Sequence, residues 1–204
     1  MQTKTHWEEV YTANPATEVS WFQDHSPLSL RLIAETGVAP TGRIIDVGGG
    51  ASTLVDDLLA RHFEHVTVLD ISAAALAVAQ ARLGARASQV SWLEADITTV
   101  ALPHHYYDVW HDRAVFHFLT RAEDRQRYVL AVRHAVKPGG HVIVATFAAD
   151  GPLRCSGLEV MRYSPGSLHA EFGEAFELVE SAREMHETPF GTEQKFIYCY
   201  CRME

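Results

Sequence analysis

Short apolar runs alternate along this chain with stretches whose apolar residues recur every three or four positions. The first periodic stretch opens at Ser26-Pro27, an N-cap followed by proline at the first helical position, and ends at Gly37. A β-branched run, Arg43 to Val47, then opens into Gly48-Gly49-Gly50. A helix follows over residues 52–61, with Leu54, Val55, Leu58 and Leu59 on one face. His65 to Asp70 reads as a second strand, and Ser72 caps an alanine-rich helix that stops at Gly84. Val90 to Leu93 and Tyr107 to His111 are the third and fourth strands. A helix spans about 121–136, Pro138-Gly139-Gly140 forms a turn, and His141 to Phe147 is a fully apolar fifth strand.

Strands that alternate with helices and are apolar on both faces predict a parallel sheet between two helical layers. The end of the chain breaks this rhythm. Phe176 to His186 and Lys195 to Arg202 read as strands, and the gap between them has no room for a helix. A parallel crossover needs a dozen or more residues, so this pair must be an antiparallel hairpin. The expected fold is α/β: a Rossmann-like three-layer sandwich whose mostly parallel seven-stranded sheet ends in that hairpin.

The chain has 204 residues, enough for one domain with a sizeable core. One domain over 1–204 is expected, in four parts. These are an aromatic-rich flap (1–25), a cofactor-binding core (40–147), an insertion on the acceptor side (148–173) and the terminal hairpin (174–204). The net charge of −9 argues against a nucleic-acid partner, because Lys and Arg supply most of the affinity for phosphate backbones. No apolar run reaches the roughly 20 residues that cross a bilayer, and the N-terminus lacks the apolar stretch of a signal peptide. Three cysteines without C-x-x-C spacing form no disulfide framework. No membrane partner and a cytoplasmic location are therefore expected.

Candidate chemistry gathers at the strand ends. Glycines in Gly48-Gly49-Gly50 let the backbone approach a ligand closely where the first strand turns into a helix. Asp70 closes the second strand, where a carboxylate can accept from ribose hydroxyls. Asp96 lies just past the third strand, within reach of an adenine amino group. Each carboxylate alone is equally well read as a loop cap; three of them (Asp46, Asp70, Asp96) beside carboxyl ends of strands describe a nucleoside site. A nicotinamide dehydrogenase uses a similar turn, but its G-x-G-x-x-G string needs a third glycine where Thr53 stands here.

The strings D-V-G-G-G, L-D-I-S, E-A-D-I-T, Y-D-V-W-H-D and V-K-P-G-G, in this order over about residues 40–147, resemble the class I S-adenosylmethionine-dependent methyltransferases. The resemblance implies S-adenosylmethionine as cofactor and transfer of its methyl group. It implies that Gly48 and Gly50 face the methionine part, with Asp46 and Gly49 in the same cofactor-binding turn. Asp70 would hold the ribose hydroxyls and Ile71 the adenine face. Asp96 and Ile97 would contact the adenine edge and face, and the backbone carbonyl of His111 would receive the ammonium.

The acceptor leaves weaker traces. Asp112 and Arg113 fall at the fourth strand's carboxyl end and His117 follows closely, which makes these three the candidate catalytic residues, against local pairing and simple packing. Trp7, Tyr11, Trp21 and Phe22 predict a flap that closes over the site, with Trp7 and Tyr11 toward the acceptor and Trp21 against the cofactor. The string H-W-E-x-x-Y…W-F-Q resembles the entry segment of a methyltransferase subgroup that includes protein lysine methylators. In the insertion, Arg154 and Arg162 are candidates to hold an anionic acceptor, and Cys155 a soft metalloid. The D-x-P…C…G and E-x-H-x-T strings there loosely resemble the tellurite-resistance methyltransferases. Cys199 and Cys201 alternate along the last strand and are expected in sheet packing. Twelve histidines show no ligand spacing, so no metal is expected. The expected partner is a small-molecule acceptor, with thiols and chalcogen species among the candidates and a protein acceptor as the alternative.

Overall fold

The computed structural model describes residues 4–204, so the first three residues of the expected flap lie outside the described residues. The central sheet contains β1 (Arg43–Val47), β2 (His65–Asp70), β3 (Val90–Glu94), β4 (Tyr107–Arg113), β5 (Val136–Phe147), β8 (Phe176–Glu187) and β9 (Glu193–Met203). Its order is β3-β2-β1-β4-β5-β9-β8. The first five strands pair in parallel, and β9 runs antiparallel to both β5 and β8. The seven-stranded, hairpin-terminated sheet is the expected one.

Alternation along each strand builds the two outer layers. Ile44, Val66, Val68 and Ile143 face α2 (Pro27–Glu35), α3 (Leu54–Ala60) and α4 (Ala73–Leu83). Ile45, Val47, Leu69, Val142 and Val144 face α5 (Ala122–Ala135) and α6 (Pro165–Phe172). Cys199 and Cys201 join the second core with their sulfurs 3.2 Å apart, in sheet packing as anticipated. Among the described residues no helix is long and apolar enough to cross a membrane.

Helix boundaries follow local chemistry. Ser72 caps α4 by accepting from the Ala75 N–H at 3.1 Å. Pro27 opens α2, but the Ser26 hydroxyl makes no capping bond. Three features depart from the sequence reading. The segment Lys4–Ala13 is a helix, α1, lying against α4; Trp7, Val10 and Tyr11 carry its helical spacing. Residues 137–140 are no turn between elements but a bulge within β5, since Tyr107 pairs with Val136 and Val109 with His141. Asp108 anchors that bulge, accepting from Lys137 Nζ at 2.6 Å and from the Arg43 N–H at 2.8 Å. The insertion folds into a miniature hairpin, β6 (Arg154–Cys155) and β7 (Leu158–Glu159), followed by α6. Its two-residue turn, Ser156-Gly157, has φ of 50° and 75°, the positive values a tight hairpin turn requires.

Candidate functional site

The carboxyl ends of β1, β2 and β3 meet at one cavity, lined in part by Gly48, Asp70, Ile71, Asp96 and Ile97. A second, smaller hollow adjoins it, lined by Asp46, Gly49, Ser52 and His111 among others. Gly48, Tyr11, Trp21 and Arg113 line both. The glycine turn is drawn in tightly. The Gly48 N–H donates to the Leu69 carbonyl at 2.7 Å, and Gly48 holds a φ of 69°. Gly50 lines neither hollow; it sits behind the turn, where a Cβ would stand 2.5 Å from Asp70 Oδ2 and 2.9 Å from the Ala75 methyl.

Asp70 is buried, and its Oδ1 accepts from the Ser72 N–H at 2.9 Å. Burial pushes its carboxyl up to about 7; the Ser72 N–H opposes the rise and the charge of Asp46 adds to it. Asp96 closes its own turn, Oδ1 accepting from both the N–H and the hydroxyl of Thr98 at 2.8 Å. Its loop-capping and cavity-lining roles coexist. The His111 side chain is buried and bridges Asp46 Oδ1 (2.7 Å) and Ser29 Oγ (2.8 Å), while Asp46 Oδ2, also buried, has no protein partner.

The N-terminal segment roofs the cavity. Trp21 Nε1 donates to the Tyr11 hydroxyl at 3.1 Å, and Trp7 meets Trp21 and Phe118 edge to face at 5.7 and 5.0 Å. Three contacts hold α1 down. Glu8 accepts from the Ala73 and Ala74 N–H groups at 2.8 and 2.9 Å and from the Ser72 hydroxyl at 3.1 Å, so it caps α4 from another helix. Partial burial works against its charge, but those donors prevail and the carboxyl lies below its usual range. Lys4 pairs with Glu94, and His6 Nε2 meets Ser156 Oγ at 3.1 Å.

Of the three candidate catalytic residues, only Arg113 reaches the cavity. Asp112 is fully buried on the opposite face of β4, where it accepts from the Val115 and Phe116 N–H groups (2.9 and 3.1 Å) and the Tyr128 hydroxyl (2.6 Å). It caps the turn after β4. His117 is a core residue packed on Phe147 and Phe118; burial pulls its imidazole down to about 3, so it is neutral. Its Nδ1 accepts from the Phe147 N–H at 3.4 Å. Arg113 pairs with Glu184 at 3.1 Å, donates to Tyr198 (3.2 Å) and the Trp21 carbonyl (3.1 Å), and lies over the Phe196 ring. Its charge is already spent on protein partners.

In the insertion only Cys155 lines the cavity. Burial pushes its thiol up to about 12, against the pull of Arg113, so it is a neutral wall rather than a thiolate. Arg154 is exposed beside Glu159, and Arg162 is exposed and donates to the Gly151 carbonyl. The expectation that these arginines hold an anionic acceptor is corrected: neither faces the site. Among the described residues no group of three or more His, Cys, Asp or Glu is placed to hold a metal ion.

Sequence reasoning assigned no individual role to Glu8, Ser29, Glu184, His186 or Tyr198, although the H-W-E and E-x-H strings contain three of them. Glu184 and His186 carry the E-x-H string, and their function here is to moor the N-terminal segment. Gln23 donates to Glu184 at 3.1 Å and His186 Nε2 to the Ser20 carbonyl at 2.8 Å. A polar residue every second position on one face of a strand was the available signal.

A family model for the methyltransferase domain matches residues 44–140, from β1 into β5. An uncharacterized methyltransferase of Mycobacterium tuberculosis is 36% identical over 104 residues, 51% of this chain and 50% of that protein. The chain thus spans about half the length of the curated relatives it matches. Among solved structures, one from work on the conversion of a disulfide bond into a thioacetal group during echinomycin biosynthesis superposes with a TM-score of 0.81. It is 15% identical, covering 100% of this chain and 93% of that one. The 1,6-didemethyltoxoflavin-N1-methyltransferase of Burkholderia thailandensis, with bound 1,6-didemethyltoxoflavin and S-adenosylhomocysteine, gives 0.68 at 18% identity, covering 98% and 83%. The shared fold is that of Rossmann-like methyltransferases.

Proposed function

We propose that this protein is an S-adenosylmethionine-dependent methyltransferase acting on a small-molecule acceptor. The carrying observation is the convergence of Gly48, Asp70 with Ile71, and Asp96 with Ile97 on one cavity at the carboxyl ends of three strands. The residues fit the cofactor. Asp70 is an acceptor for ribose hydroxyls, Asp96 for an adenine amino group, Ile71 and Ile97 are apolar walls for the base, and the orphaned Asp46 Oδ2 suits an ammonium. S-Adenosylmethionine supplies a methyl group on a sulfonium, already activated for in-line displacement. The protein has to orient the acceptor and exclude water. Trp7, Tyr11 and Trp21 do the latter from above, and Cys155 and Phe118 wall the cavity.

The roof favours a small acceptor over a protein side chain. A peptide carrying lysine needs an open trench, whereas α1 and the β6–β7 hairpin meet over this cavity through His6 and Ser156. Of the candidate bases on the acceptor side, Asp112 and His117 lie outside the cavity lining and Cys155 holds its proton; Asp70, raised to about 7, stands on the ribose side of this reading. An acceptor that ionises by itself, such as a thiol or a reduced chalcogen species, suits such a site. A bound small acceptor in the toxoflavin enzyme is consistent with this reading.

Incubation with methyl-labelled cofactor and a fractionated lysate tests it. The label should enter the small-molecule fraction, with free thiols as competent acceptors. Label recovered on protein bands instead would replace this reading with protein methylation.

A further inference from the structure

The strand-end turns account for Asp46, Asp70 and Asp96, but not for the polar chain buried beneath them. His111 stands on β4 with its ring in the layer between the sheet and α2. Its Nδ1 lies 2.7 Å from Asp46 Oδ1 and its Nε2 2.8 Å from Ser29 Oγ. Ser29 Oγ lies 3.3 Å from the Tyr198 hydroxyl, which accepts from Arg113 Nε at 3.2 Å. His111, Asp46 and Ser29 are all at most 2% exposed. A carboxylate oxygen only accepts, so Nδ1 of His111 carries a proton and donates it to Asp46. Nε2 on the other side of the ring meets the Ser29 hydroxyl, and the two contacts together fix the ring plane. Asp46 Oδ1 is thereby engaged within the protein, while Oδ2 is buried without a partner on a residue that lines the smaller hollow. An unsatisfied buried carboxylate oxygen is costly unless a donor arrives to meet it.

We infer that His111 is a positioning residue. Its side chain, braced by Ser29, holds Asp46 so that one oxygen is presented to the cationic amino-acid end of the bound nucleoside. This inference rests on the proposed methyltransferase reading. It differs from the expectation carried by resemblance, in which only the His111 backbone carbonyl takes part. His111 touches no reacting atom; it acts through Asp46.

Two ligands separate this role from a merely structural one. S-Adenosylhomocysteine carries the ammonium, and 5′-methylthioadenosine has the same nucleoside without the amino-acid tail. Calorimetric titration of His111→Leu should weaken S-adenosylhomocysteine by at least about tenfold, the scale of a lost hydrogen bond to a charged group, and leave methylthioadenosine within about twofold of wild type. His111→Asn, whose amide N–H stands near the place of Nδ1, should recover most of the loss. Should His111→Leu fail to fold, Ser29→Ala, which removes only the brace, must show the same selective weakening. Equal loss for both ligands, or no loss for either, in folded variants overturns the inference and leaves the methyltransferase reading standing. Wild-type protein that binds neither nucleoside removes both.

Discussion

Asp70 and Asp112 are buried carboxyls at the ends of nearby strands, and burial pushes both upward, to about 7 and about 6. Their surroundings divide their roles. Asp112 has two backbone N–H groups and a tyrosine hydroxyl; Asp70 has the Ser72 and Ile71 N–H groups and also lines the cavity. Asp112→Asn should therefore lower stability by about 1–3 kcal/mol, the scale of a buried hydrogen bond left unmade, with kcat unchanged in chemical denaturation and turnover assays. A collapse of kcat at full stability would restore Asp112 to the catalytic set. For Asp70 the sign follows from linkage. Folding raises its carboxyl above the ordinary 3.8, so its contribution to stability is full below that value and is lost as the pH rises through about 7. The ionised form is the better acceptor of ribose hydroxyls, so nucleoside affinity should rise between pH 6 and 8. Titrations across that range should show the rise in wild type and its absence in Asp70→Asn; parallel pH profiles would separate Asp70 from the ribose. The sequence alone made the two aspartates look alike. Strand parity divides them: Asp112 shares its face of β4 with Trp110, which packs toward α5, and His111 and Arg113 take the other.

At the scale of elements, α1 and the segment around Trp21 are joined to nearly every loop that frames the cavity. Glu8 reaches the start of α4, Lys4 the end of β3, His6 the β6–β7 turn, and Arg113, Glu184 and His186 hold residues 20–23. Glu8→Ala leaves the Ser72 cap of α4 but removes the second one, which ties α1 down, and should speed release of a bound nucleoside by roughly three- to tenfold, as the worth of a helix cap implies. Stopped-flow displacement reads this directly; an unchanged rate would mean that α1 is no barrier to exit. The aromatic flap was legible from Trp7, Tyr11 and Trp21, yet its helical form and its latch were not. Capping by a residue more than 60 positions away leaves no local signature. The β5 bulge was hidden for a related reason: Pro138-Gly139-Gly140 has turn composition, and only pairing with β4 keeps it within the strand.

At the scale of the whole molecule, the architecture was the most legible part because it follows from periodicity and loop length. Two-faced apolar strands require two helical layers, and the five-residue gap between β8 and β9 permits only a hairpin. That Gly48, Asp70, Ile71, Asp96 and Ile97 line one cavity was nearly as readable, since these groups sit at strand ends whatever the packing. The acceptor side was not, because side-chain direction in a loop is a tertiary property: Arg154 and Arg162 carry the expected charge and point to solvent. The central claim is that the ends of β1, β2 and β3 grip one adenosyl compound. Equilibrium titration of the protein with S-adenosylhomocysteine, and separately with NAD, tests it most directly. The account predicts saturable one-to-one binding of S-adenosylhomocysteine, weakened by Asp70→Asn, and no binding of NAD. Saturable binding of NAD, or none of S-adenosylhomocysteine by folded protein, would contradict it.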